Sequence, residues 1–277
     1  DVAVLPSTTP PVDNKSAVSY LLTRAAEYNI PCDPHPLGCV SEGRQGKQLA
    51  ELYDMSNAGA IGFYDDKPIE RVGLLKMALE YLSPSGAVVL SDANEEDLNP
   101  GASMHEGETS TALGLTGSPS ESETIRLQRD IEILSYTGGR LHIPVVSTQG
   151  GVKLIKQAKK RGLAITASTT PHHLTFIDED LLSFDGTLRV NPPLRSKADR
   201  KALRTALTDG VINSVVSDHR PESIESHDVE FALSPNGISR IESVFAALCT
   251  ACPDLDLARL VDSISNATRR VYQLPEL

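Results

Sequence analysis

Short apolar runs alternate with longer amphipathic stretches along almost the whole chain. Val2 to Leu5, Cys32 to Val40, Ala58 to Phe63, Ala87 to Leu90, Arg140 to Val146, Leu163 to Thr169 and Val211 to Val216 read as strands. Each is close to continuously apolar. Between them the spacing predicts helices. In the first, Asp13 or Asn14 is placed to cap, and Ala17, Val18, Leu21, Leu22 and Ala25 share one face. Further helices are expected over Gln45–Asn57, over Pro68–Leu82 with proline in its first turn, and over Ser122–Tyr136, stopped by Gly138 and Gly139. Val152–Arg161, Lys197–Leu207, Ile238–Cys252 and Leu255–Ile264 complete the set. Apolar strands alternating with helices predict an α/β fold whose parallel sheet is covered by helices.

Polar residues cluster just after these strands: Ser7, Asp65, Ser91, Ser147, Thr169 and Asp218. A (β/α)8 barrel carries its site at the C-terminal ends of its strands, and a doubly wound open sheet also holds ligands there. No G-x-G-x-x-G follows any strand, which argues against a dinucleotide fold. Residues 91–121 and 218–237 are long, polar connections rich in Gly, Pro, Ser and Glu. Such loops are expected to be lids or disordered insertions, the least ordered parts of the molecule.

Composition narrows the partners. Lys plus Arg is 26 and Asp plus Glu is 37, a formal charge of −11 over 277 residues. Nucleic acid and anionic membrane surfaces both need clustered positive charge, so neither is expected. With 40% hydrophobic and 23% charged residues the chain is an ordinary globular one. No apolar run reaches the roughly 20 residues that cross a bilayer. Four cysteines do not make a disulfide framework, so a reducing cytoplasm is the expected compartment. Cys249 and Cys252 form a C-x-x-C in an apolar helical stretch and read as core, as do Cys32 and Cys39.

Several polar residues could carry chemistry. Asp65-Asp66 is either a solvated turn or a pair at a strand end, and Asp218-His219 follows the apolar run Ile212 to Val216. His142 and His172-His173 are more often hydrogen-bonded structural groups than ligands. Asn191-Pro-Pro-Leu-Arg195 fixes an extended turn and offers an amide and a guanidinium fork, suited to a carboxylate or a cyclic amide.

Taken together, these runs resemble the class I dihydroorotases of the amidohydrolase superfamily. Gly138 to Thr148 is similar to the family segment ending H-x-x-H-V-S-T. Thr170-Pro-His-His-Leu174, Val190-Asn-Pro-Pro-Leu-Arg195, Ser217-Asp-His-Arg-Pro221 and Ser234-Pro-Asn-Gly-Ile238 follow the family motifs in order. So do Leu5 to Pro11, Tyr64-Asp-Asp-Lys67, His105-Glu-Gly and Leu113 to Pro119. The resemblance covers nearly the whole chain. Allantoinases and hydantoinases fit N-P-P-L-R and L-G-L-x-G-x-P less well.

The resemblance implies a TIM-type (β/α)8 barrel lacking its first strand, with residues 1–277 as one partial barrel domain and a small β domain from termini outside the chain. It implies a zinc hydrolase that closes carbamoyl aspartate to dihydroorotate in pyrimidine biosynthesis. Family metal ligands map residue by residue. Asp65 takes the fourth-strand carboxylate position, and Asp218 the eighth-strand aspartate, which is also the base. Asn191 takes a substrate-contacting position. Ser91 and Val145 stand where the family has ligand histidines, Ser7 where it has an asparagine, and Glu222 where it has a substrate-binding histidine. The H-x-H lies outside the chain.

Valine has no lone pair and serine is a poor zinc ligand. On strand parity His142 should face away from the Val145 position, and Asp92 away from that of Ser91. The expectation is therefore no bound zinc, and a catalytically impaired or non-catalytic member that scaffolds aspartate transcarbamoylase, as a homo-oligomer. The alternative is an active zinc dihydroorotase or related cyclic amidohydrolase with a reduced metal site.

Overall fold

The structure is a computed structural model describing residues 1–277. Nine strands occur along the chain: β1 (Val2–Val4), β2 (Pro34–Gly38), β3 (Gly62–Phe63), β4 (Val88–Leu90), β5 (Met104–His105), β6 (Gly117–Ser118), β7 (Arg140–Ile143), β8 (Ile165–Thr169) and β9 (Ser214–Val215). Seven of them form one parallel sheet in the order β1-β2-β3-β4-β7-β8-β9. All seven anticipated strands are present, shortened at their ends. Residues of β1, β2, β4, β7 and β9, or just beyond them, line one cavity, so the sheet curls into a partial TIM-type barrel with β1 and β9 at its free edges.

Side-chain parity sorts the two faces. Val89, Leu141 and Ile143 point outward into the main core with Leu75, Leu127, Leu134 and Ile155 of the covering helices. Val88 and Leu90 point inward, where they pack with Leu37, Tyr64 and Tyr272. Tyr272 follows the helix Asn266–Val271, which the sequence pattern did not reveal.

Local chemistry explains most helix boundaries. Asn14, not Asp13, caps the helix Lys15–Glu27 by accepting from the Ala17 amide. Thr148 caps Gln149–Lys160, and Ser196 caps Lys197–Thr208 in a box with Asp199. The helix expected over Gln45–Asn57 is instead a 3-10 turn, a loop and a short helix, Leu52–Asn57. Gly46 has φ +67° and gives its amide to Ser41 Oγ, and Ser41 bridges Leu49, so the chain turns where a helix was expected.

The long segments 91–121 and 218–237 are not structureless. The first carries the separate parallel pair β5–β6 and the helix Glu108–Leu113. Met104 from it, Phe231 from the second and the adjoining Ile238 share a small core with Leu181, Val190 and Leu194. This cap has its own apolar cluster, apart from the barrel's.

Candidate functional site

The barrel encloses a cavity of about 660 Å³. Its inner wall is apolar (Leu37, Leu90, Val145, Val215), and its polar lining comes from strand-end residues. Inside the sheet, His142 meets Thr166 Oγ1 through Nδ1 at 2.9 Å and Ser168 Oγ through Nε2 at 3.2 Å. Burial, reinforced by Lys159 and Arg140, holds its pKa down to about 3, so this imidazole is neutral. His142 and Val145 both line the cavity, contrary to the parity expectation. The strand ends at Ile143, so strand parity does not reach Val145.

Two adjacent pairs are resolved by the turn that follows each strand. Asp65 is 1% exposed and turns sideways, accepting from the amides of Val40 and Ser41 at 2.8 and 3.0 Å and from Ser41 Oγ at 2.6 Å. The carboxylate that faces Arg220 at the mouth is that of Asp66, whose backbone is left-handed at φ 53°. The same happens after β4. Ser91 points outward and donates to Asp130 Oδ2 on the helix Glu121–Thr137 at 2.7 Å. Asp92 lines the cavity and accepts a 2.6 Å hydrogen bond from the Tyr64 hydroxyl. Strand β4 stops at Leu90, so the parity argument that set Asp92 aside does not reach it.

Asp218 lies at the mouth, again left-handed at φ 45°. Arg220 stands between it and Asp66, giving Nε to Asp218 Oδ1 at 3.0 Å and Nη2 to Asp66 Oδ1 at 2.6 Å. Ser7 adds a 2.7 Å hydroxyl donor to Asp66 Oδ2. Burial lowers the Arg220 pKa, but the hydrogen bond and charge of Asp66, then Asp218, outweigh it and hold it above the ordinary value. Burial raises the pKa of Asp218 against the opposing charge of Arg220. Asp92 is pushed up to about 6, chiefly by burial and further by Asp66 and Asp218, while the Tyr64 hydrogen bond and Arg220 oppose the rise.

Asn191 lines the cavity rim, with Asn94 Nδ2 at 3.5 Å from its Oδ1. Arg195 of the same run is buried behind it, bonding Ser147 Oγ and the Ser118 carbonyl. His172 is fully buried, its Nε2 3.9 Å from Asp218 Oδ2 and neither ring nitrogen hydrogen-bonded. Glu222 is exposed and outside the cavity lining. The mouth thus unites Asp218 and Asn191 of the expected residues with Tyr64, Asp92 and Arg220, and Arg220 ties in Asp66 from beside the lining. Asp65 and Ser91 are turned away.

The family model for dihydro-orotase-like proteins matches residues 1–151. The chain belongs to that family. A dihydroorotase of Pelotomaculum thermopropionicum is 41% identical over 250 residues, covering 90% of this chain and 58% of its own length. One of Syntrophus aciditrophicus is 39% identical over 281 residues, covering 99% of this chain and 65% of its own. The chain therefore spans less than two thirds of these relatives. Among solved structures, the L-hydantoinase (dihydropyrimidinase) of Arthrobacter aurescens superposes with a TM-score of 0.82 at 21% identity, over 98% of this chain and 63% of that one. Dihydroorotase from Saccharomyces cerevisiae, in complex with 5-fluoroorotic acid, gives 0.78 at 12% identity, over 99% and 76%. Both show the barrel fold. No helix in the chain is long and apolar enough to cross a membrane.

The dihydroorotase resemblance implies zinc, and the residues at this mouth do not fit it. Asp66 and Asp218 are both bonded to a guanidinium, Asp92 is bonded to Tyr64, and Val145 offers no lone pair. No three His, Cys, Asp or Glu side chains converge on a point. A dication drawn to Asp66 and Asp218 would meet the fixed positive charge of Arg220.

Proposed function

We propose that this barrel is a dihydroorotase-family member that has lost metal-dependent hydrolysis and acts as a non-catalytic partner subunit. The observation that carries the reading is the Asp66–Arg220–Asp218 bridge, which ties up the mouth carboxylates. Hydrolysis or closure of a cyclic amide needs an activated water on one side of the carbonyl carbon and stabilisation of charge on its oxygen. Asp218 retains the base position, yet its carboxylate faces Arg220 and the neutral His172, and a base without a polarised water has little to activate at neutral pH. The cavity remains roomy and half apolar. Aspartate transcarbamoylase, the enzyme that makes carbamoyl aspartate, is the proposed partner, with a homo-oligomeric barrel on its surface.

The test is a steady-state assay of the whole protein in both directions, carbamoyl aspartate to dihydroorotate and back, with zinc supplied. No turnover is expected. A rate near 1 s⁻¹, at the low end of ordinary enzymes at roughly 1–10³ s⁻¹, overturns the reading. Co-purification then tests the partner, and a clean failure to associate with aspartate transcarbamoylase removes the scaffold role. The second reading, an active zinc dihydroorotase or related cyclic amidohydrolase, is favoured by the 41% identity to a dihydroorotase. Turnover in the same assay would select it.

A further inference from the structure

Arg220 is not a surface arginine that happens to reach a carboxylate. Its backbone is fixed on both sides. The amide of Arg220 donates to the Ile238 carbonyl at 3.1 Å, and His219 pairs with Ile238 in a parallel bridge. His219 Nδ1 accepts from the amides of Arg240 and Ile241 at 3.1 and 3.3 Å, which ties the following turn to the same strand end. Gly237 is pressed so close that a Cβ there would lie 2.4 Å from the Arg220 carbonyl oxygen, and its φ of +157° also disfavours any side chain. The segment returning from the cap thus locks the residue that carries the guanidinium.

What it is locked against is equally specific. Asp66 and Asp218 sit at the ends of β3 and β9, far apart in sequence, and both adopt the left-handed backbone that L-residues seldom use. Asp92 and Asp218 line the cavity mouth with Arg220, and Asp66 reaches it only through its ion pair with Arg220. The charged groups facing Arg220 are Asp66 and Asp218, paired with it directly, and Asp92, which feels its charge; Arg44 reaches Asp66 at 3.9 Å and spends its Nε on the Asp65 carbonyl. Without Arg220 the mouth would hold neighbouring anions with little to balance them.

We propose that Arg220 is a built-in cation: its guanidinium supplies the positive charge that holds Asp66 and Asp218 together, and thereby bars metal from the mouth. The bridge is stable without any free ion, and it fixes two strand ends to each other. This deepens the non-catalytic reading and rests on it for the claim that the mouth works without metal.

Zinc titration by calorimetry on the whole protein tests it, using Zn²⁺ alone as the probe. Wild type is expected to show no saturable zinc site at the mouth. Arg220→Ala should bind one zinc at least about tenfold more tightly than wild type, because removing the cation frees two oxygen donors. Adding Asp66→Asn to that variant should abolish the gain. Zinc should also raise the urea midpoint of Arg220→Ala and leave that of wild type unmoved. If Arg220→Ala does not fold, the triple variant Arg220→Ala/Asp66→Asn/Asp218→Asn decides. It should fold, because the anions that needed the guanidinium are gone. Failure of the triple variant to fold overturns the proposal. So does a folded Arg220→Ala that gains no zinc affinity, or a wild type that binds zinc as tightly as the variant. Turnover by wild type in the dihydroorotase assay would fail the functional reading while the titration still judges the guanidinium. Absent turnover with no gain in Arg220→Ala fails only this inference.

Discussion

Buried carboxylates occur in two regions of this barrel, and they are held by opposite means. On the shoulder, where helices meet strand ends, Asp65 and Glu123 accept from backbone. Glu123 is 1% exposed and takes the amides of Ser147 and Thr148 at 2.8 and 3.0 Å and their hydroxyls at 2.6 and 2.7 Å. Asp65 does the same for Val40 and Ser41. At the mouth, Asp66 and Asp218 lean on a side-chain cation instead. A carboxylate that accepts three or four short bonds from amides and hydroxyls fixes a turn and has little acceptor capacity left for a ligand. One held by a guanidinium can exchange its partner if the guanidinium is taken away. The shoulder carboxylates are held by backbone and hydroxyl donors, and the mouth carboxylates by an exchangeable side chain.

The sharpest break of this comparison is Glu123→Ala. It strips four donors of their acceptor in a dry site, and the expected loss is about 3–5 kcal/mol in urea unfolding. A loss under about 1 kcal/mol would mean that the shoulder is no stiffer than the mouth. Gly151→Ala attacks the same clamp from the other side, since the new Cβ would stand 2.1 Å from Glu123 Oε1. We expect about 2–4 kcal/mol, with the Glu123→Ala/Gly151→Ala double variant losing less than the sum of the two.

Proton linkage tests the mouth. Asp92 titrates near 6 in the folded state against 3.8 for the ordinary side chain. The native state therefore holds this proton more strongly, and its contribution is full at low pH and lost as pH rises through 6. The size is at most on the order of 3 kcal/mol. Histidine linkage has the opposite sign. His142 and His173, pushed down to about 3 and about 4 mainly by burial, contribute stability that is present above 6.5 and lost as pH falls toward those values. The difference between wild type and Asp92→Asn isolates the carboxyl: between pH 4 and pH 7 wild type should lose ground to the variant. A flat difference would mean that Asp92 is solvated rather than held in the buried surroundings that raise its pKa. The smallest expected effect is Tyr64→Phe, about 1 kcal/mol, which should also raise the Asp92 pKa further in a carbon-13 carboxyl titration because the lost hydrogen bond favours the ionised form.

The strands were legible because buried parallel strands are apolar runs, and such runs need no partner to be recognised. A continuous apolar run such as Ala87 to Leu90 does not say which side chains face inward; the structure turns Val88 and Leu90 in and Val89 out. Strand parity failed at Ser91 and Asp92, because the strand had ended and a turn chose which side chain faced inward. Asp65 and Asp66 split for the same reason: the left-handed backbone at Asp66 is a property of the turn, not of the residue pattern. The family resemblance pointed to Asp65 and Ser91, and the turns instead bring Asp92 to the mouth and Asp66 against Arg220. Arg220 left no periodic trace at all. A lone arginine in a polar loop looks like solvent-facing charge until Gly237 and Ile238 return to pin it.

The cap's separate apolar cluster has a kinetic meaning. Met104, Leu181, Val190, Leu194, Phe231 and Ile238 are few, and they share no packing with the large cluster that holds helices to strands. Amides there should exchange with deuterium through a partial opening well below the global unfolding energy, whereas those of β7 and β8 should wait for the whole barrel. Because Ile238 belongs both to that cluster and to the pairing that holds Arg220, each such opening would loosen the bridge at the mouth. The gate of this barrel would then be a rare melted state of its own roof.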